Sequence, residues 1–136
     1  MPIPLSRASE QLKYHFTALT IAARPTQWQV SLHTGNPVLG NEVATGSISN
    51  YARQDTTFDY STVAVGGVEN AAQVANATAI TFPTVPAASS NVTVTHVAVW
   101  DKVSGALKAY GPLTPNITTA DGTIVSFNVG DLFIRD

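Results

Sequence analysis

From Gln27 onward the chain alternates. In "QWQVSLHT", Trp28, Val30 and Leu32 point one way while Gln27, Gln29, Ser31 and His33 point the other. A period of two is the signature of a half-buried β-strand. The segment before it has a different period: Leu12, Phe16 and Leu19 recur at spacings of four and three. That stripe predicts a helix over about residues 6–20, with Ser6 as N-cap and Glu10 near the first turn. Pro25 disfavours helix at the residue before it and bounds the element.

Beyond His33, "GNPVLGNEVATGS" reads as a long loop in which Gly, Asn and Pro supply turn geometry. "YARQDTTFDYS" and "STVAVGGVENAAQV" are weaker strand candidates around Gly66-Gly67, and "ATAITFPTV" is a short strand that ends near Pro83. "NVTVTHVAVW" is the strongest strand. "DKVSG" turns the chain, "ALKAYGPL" returns it, and "TIVSFNV" and "DLFIRD" make two last strands. Eight or nine strands behind one helix, with turn signals every ten residues or so, predict an all-β fold. The expected architecture is a β-sandwich or jelly-roll-like single domain over residues 1–136.

Candidate chemistry concentrates in "VTHVAVWDK", where His96, Asp101 and Lys102 lie close together. Alternation puts Val92, Val94, His96, Ala98 and Trp100 on one face and Thr93, Thr95, Val97 and Val99 on the other, with both tryptophans expected in the core. His96 and Asp101 would then stand about 16 Å apart in an extended strand, too far for acid–base work on one substrate atom. Asp101 instead reads as a turn residue that accepts local N–H groups. His15, His33 and His96 fall on three elements without metal-binding spacing. Asp55 and Asp59 flank Phe58 without an evident catalytic arrangement. Arg53, in "YARQ", is expected to pair with Glu42 or Asp55. The sequons at Asn76, Asn91 and Asn116 read as turn and strand chemistry. No catalytic centre, cofactor site or metal site is expected, so the protein is read as no enzyme.

Composition narrows the picture. Only 12% of residues are charged, against about 25% in an ordinary domain. The seven Lys and Arg are scattered, which argues against nucleic acid as a partner. Absence of cysteine excludes disulfides and thiol chemistry. No apolar run suits a signal peptide or a membrane span, so synthesis in a cytoplasm and no membrane partner are expected. From Val74 to Val99 the only ionisable side chain is His96. A charge-free strand face of that length suits a protein interface, and Thr93 and Thr95 are the candidate contact residues.

Several stretches in this order resemble a family of small bacteriophage virion proteins widely labelled phage tail fibre proteins. They are "RPTQWQVSLHTGNP", "GNEV" (Gly40 to Val43), "YARQ" (Tyr51 to Gln54), "ITFP" (Ile80 to Pro83), "VTHVAVWD" (Val94 to Asp101) and "SGALKAYGPL", with a Gly-Asp near the C-terminus. The resemblance implies a structural protein located in the virion. The reading adopted from it is a capsid decoration (cement) protein, with a tail fibre or receptor-binding tail-tip component as the alternative. Its expected partners are further copies of itself, with a trimer favoured, and another virion protein such as the major capsid protein.

Overall fold

The computed structural model describes residues 16–20, 23–65 and 69–135. Nine strands occupy them: β1 (Trp28–His33), β2 (Gln54–Thr56), β3 (Phe58–Val65), β4 (Glu69–Asn76), β5 (Ile80–Thr81), β6 (Thr93–Asp101), β7 (Leu107–Thr118), β8 (Ser126–Phe127) and β9 (Phe133–Arg135). The fold is all-β, as the alternation predicts. The expected helix over about 6–20 falls mostly on residues 1–15, outside the described residues. Within its described part, Phe16 is helical and residues 17–20 are not. There the Thr17 hydroxyl accepts the Leu19 N–H at 3.2 Å, a local bond that competes with helix. Phe16 and Leu19 are largely exposed rather than packed as a stripe.

The main sheet has the order β2-β1-β6-β7, antiparallel throughout. Its pairing sets Val30 opposite Val99 and Leu32 opposite Val97, so four apolar side chains meet on one face. These are core residues, each at most 2% exposed. The other face of β1 departs from expectation. Ser31 and His33 are as buried as the valines, at 0% and 1% exposed. β1 is therefore covered on both faces, because residues far along the chain fold over its polar side.

The phasing of β6 also differs from simple alternation. Its register with β7 shifts between Val94 and His96, and a bulge of this kind turns the following residues to the opposite face. Val94 before the shift and Val97 and Val99 after it all enter the core. His96, Ala98 and Trp100 are turned the other way with Ser31 and His33. Of the two tryptophans, Trp28 packs against the core, edge-to-face on Phe58 at 6.1 Å. Trp100 lies on the far face, half-buried, which corrects its expected place.

A second layer covers the apolar face. β5 pairs with β8, and the ribbon continues through Phe82 N–H to Val125 C=O and Val85 N–H to Thr123 C=O, both at 2.9 Å. Ile80, Phe82, Val85, Val125 and Phe127 thereby join Val30, Leu32, Val97 and Val99 in one core. A third sheet, β3-β4-β9, adjoins this core through Phe58 and Ile134. Asn76, at the end of β4, is 1% exposed. Its amide donates to the carbonyls of Thr78 (2.8 Å) and Asn128 (2.9 Å), and its side-chain oxygen accepts the Leu132 N–H at 2.9 Å. The sequon asparagine is thus an internal tie, consistent with its reading as turn and strand chemistry.

The β6–β7 turn is built as expected. Asp101 accepts the N–H of Val103 at 2.9 Å and the hydroxyl of Ser104 at 2.8 Å. Gly105 follows at φ +74°, a conformation that side chains rarely adopt. The Ser104 hydroxyl bond, although partly opposed by burial, holds the Asp101 carboxyl below its usual range.

Candidate functional site

The polar side of the main sheet holds a continuous hydrogen-bonded chain. Trp100 Nε1 donates to Ser31 Oγ at 2.6 Å, Ser31 meets His33 Nε2 at 2.7 Å, and His33 Nδ1 meets the Gly40 carbonyl at 2.7 Å. A carbonyl only accepts, so Nδ1 carries the proton, Nε2 accepts, and the serine hydroxyl donates to it. That order holds only for neutral His33. Burial pushes its pKa below the ordinary value of 6.5, despite the Gly40 carbonyl and Glu42, which favour the charged form.

A charged layer lies over this chain. Arg53 stacks on the Trp100 ring at 4.2 Å from its centroid, and the Trp100 ring in turn stacks near His33. The guanidinium grips Glu42 through two bonds, Nε to Oε1 at 2.9 Å and Nη2 to Oε2 at 2.8 Å. Tyr51 donates its hydroxyl to the same Oε1 at 2.8 Å and accepts the Leu32 N–H at 3.0 Å. Burial opposes ionisation of Glu42, but the Arg53 and Tyr51 hydrogen bonds outweigh it and lower the carboxyl. Of the two partners expected for Arg53, Glu42 is the one found. Asp55 pairs instead with Lys102 at 2.7 Å.

A serine bonded to a histidine whose other nitrogen is held by an oxygen has the outline of a nucleophile and its base. Its position argues for architecture: Ser31 has no exposed surface, and its oxygen already accepts from Trp100. A serine-reactive fluorophosphonate is expected to leave Ser31 unmodified in the folded protein. Labelling of Ser31 under native conditions, detected by peptide mass spectrometry, would show that this face opens.

The other sequence candidates disperse. Asp101 serves its turn, Asp59 is exposed, and His15 lies outside the described residues. His33 and His96 do stand opposite each other on β1 and β6. Both nitrogens of His33 are engaged, and Nδ1 of His96 meets the Thr95 hydroxyl at 2.8 Å. Among the described residues no group of three or more His, Cys, Asp or Glu could hold a metal.

Thr93 and Thr95 fall together in an open groove of about 540 Å³, which Thr34, Glu42, Ser47 and Asn91 also line. Thr93 is exposed and Thr95 half-buried. The register shift beside Val94 explains this, since odd-numbered Thr93 before it points away from the core while odd-numbered Val97 and Val99 after it point in. The groove offers hydroxyls, an amide and one carboxylate, with Val43, Ala44 and Val92 between them.

A family model described as Podophage GP4 fiber I protein gp80 matches residues 7–135. The chain belongs to this family. Among curated proteins none matches. The match spans the described fold, so both the buried Ser31–His33–Arg53 layer and the Thr93–Thr95 groove belong to the part of this fibre protein that defines its family. It is a phage virion structural protein of the tail fibre type. Alternation alone already placed Ser31 and His33 on one face. What it lacked was any sign that Glu42 and Arg53 would close over them.

Proposed function

We propose that this protein is a component of a phage fibre that serves attachment to the host, and not a cement protein of the head. The observation that carries the reading is the fibre family match over residues 7–135. The capsid-decoration reading rests on a compact, polar-surfaced, cysteine-free β domain, which suits a fibre equally. The buried layer stiffens the main sheet, and the groove face with Thr93 and Thr95 is the surface through which the domain contacts a neighbouring virion protein. The protein works by binding and carries no catalytic step.

Two measurements test this. Quantitative mass spectrometry of purified particles is expected to find a small number of copies per particle, with antibody label at the tail. Hundreds of copies distributed over the head would restore the decoration reading. The double variant Thr93→Lys/Thr95→Lys is expected to keep its thermal stability, since Thr93 is exposed and Thr95 borders the open groove, while its incorporation into particles falls at least about tenfold, the effect of roughly 1.4 kcal/mol. Normal incorporation of that variant would remove the groove from the contact surface.

A further inference from the structure

We propose that the outer edge of β3 pairs antiparallel with β3 of a second copy of this chain, across a two-fold axis at Ser61. The inference goes beyond the fibre assignment and does not use the groove. β3 and β4 form a hairpin with eight consecutive residue pairs, from Phe58↔Asn76 to Val65↔Glu69, and no register shift. β9 supports β4 only from Gln73 to Ala75. Beyond that, among the described residues, the hairpin is a two-stranded ribbon, which is marginal in water without a further strand.

Among the described residues the remaining sheet edges are guarded. β7 carries Lys108, Pro112 and Pro115 and is broken by register shifts, devices that block edge pairing. β2 and β9 are three residues long, and β5 and β8 are two. β3 has no proline, lysine or bulge, and its only charge is Asp59 near its base. Asp59, Tyr60, Ser61 and Thr62 are all exposed, Tyr60 by 70%. From Ser61 to Asn76 the sole charged residue is Glu69. It is the long, straight, unguarded edge among the described residues.

Hydrogen-bond alternation limits the register. The Thr57 carbonyl accepts the Ala77 N–H at 2.8 Å, so Thr57, Asp59 and Ser61 turn their main-chain groups toward β4. Phe58, Tyr60, Thr62 and Ala64 then turn theirs outward. Two copies can bond only if outward residues oppose outward residues. Axes at Tyr60, Ser61 and Thr62 all do this, and the one at Ser61 alone engages all four outward residues, setting Tyr60 against Thr62 of the partner subunit and Phe58 against Ala64 of the partner subunit. Asp59 then faces Val63 of the partner subunit, so no like charges meet. A second copy is favoured over an unrelated strand because the edge is complementary to itself. The contact is isologous and closes as a dimer, where the sequence reading favours a trimer.

The natural chain has no cysteine, which makes a cross-link test clean. In the full-length protein, Ser61→Cys is expected to form a disulfide-linked dimer on mild oxidation. Residues opposed at a non-hydrogen-bonded position lie about 4.5 Å apart between Cα atoms, within disulfide reach. Asp59→Cys, which does not oppose itself, should remain unlinked. Thr62→Pro removes an outward N–H and leaves the bonds to β4 in place. By sedimentation, wild type should be a dimer and Thr62→Pro a folded monomer with unchanged circular dichroism. A wild-type monomer or trimer, a dimer indifferent to Thr62→Pro, or equal linking at residues 59 and 61 would each overturn the proposal. Should Thr62→Pro unfold, the cross-linking pair decides alone.

Discussion

Asn76→Ala is expected to destabilise the protein by about 3–4 kcal/mol, because it strands a buried N–H and withdraws a donor from two carbonyls. The methyl group that remains can donate to neither Thr78 nor Asn128 and accept nothing from Leu132. Total stabilities of domains are only about 5–15 kcal/mol, so thermal unfolding should move down by roughly 10–15 °C. Asn91→Ala and Asn116→Ala, at exposed positions, should shift it little. Asn76→Asp separates geometry from donor capacity. It keeps an oxygen for the Leu132 N–H but puts a carboxylate against two carbonyl oxygens, and it should be at least as damaging at neutral pH. If Asn76→Ala melts with wild type, residues 128–132 are held by something other than this amide.

His33→Ala should destabilise by about 3 kcal/mol at pH 7, through the cavity it leaves and through the Ser31 hydroxyl and Gly40 carbonyl that lose a partner. The variant should also change how stability depends on pH. In the folded protein burial holds the His33 pKa below 6.5, so below that value the unfolded chain takes up a proton that the folded chain refuses. Wild-type stability is then level above about pH 6.5 and falls as the pH drops toward the folded pKa. Glu42, whose carboxyl is lowered, adds a second loss as the pH falls below its ordinary value of 4.5. Urea unfolding at intervals from pH 8 to pH 4 reads both. His33→Ala should abolish the first decline and keep the second. A wild-type curve flat between pH 6.5 and 5 would mean that His33 is charged in the fold and that the Trp100–Ser31–His33–Gly40 order is different.

Much of the fold can be read from the chain, and the exceptions have physical causes. β1, β6 and the Asp101 turn follow from alternation and turn chemistry, which depend on neighbours in sequence. The face reversal in β6 does not, since "TVTHVAV" alternates well enough on paper and the shift arises from its pairing with β7. Burial of Ser31 and His33 was hidden for a similar reason: their cover comes from Glu42, Arg53 and Trp100, which only the tertiary fold assembles. That Arg53 pairs with Glu42 or Asp55 is legible because the chain has few acids to choose from, and only the tertiary fold selects Glu42. Asn76 reads from the sequence as turn and strand chemistry, and only its burial reveals a tie to Asn128 and Leu132. Thr93 and Thr95 were singled out for lack of charge, and the structure adds the groove that joins them.

The pairing order also governs when this chain can fold during synthesis. Ile80 waits for Phe127, and Val74 waits for Ile134, so neither the second layer nor the third sheet can close until those residues have left the ribosomal tunnel. Of the sheet contacts, the β3–β4 and β6–β7 hairpins are local, and the first of these carries the unguarded edge. Folds dominated by distant pairings mature in milliseconds to seconds. A nascent chain therefore displays the complete β3–β4 hairpin while its core is still open.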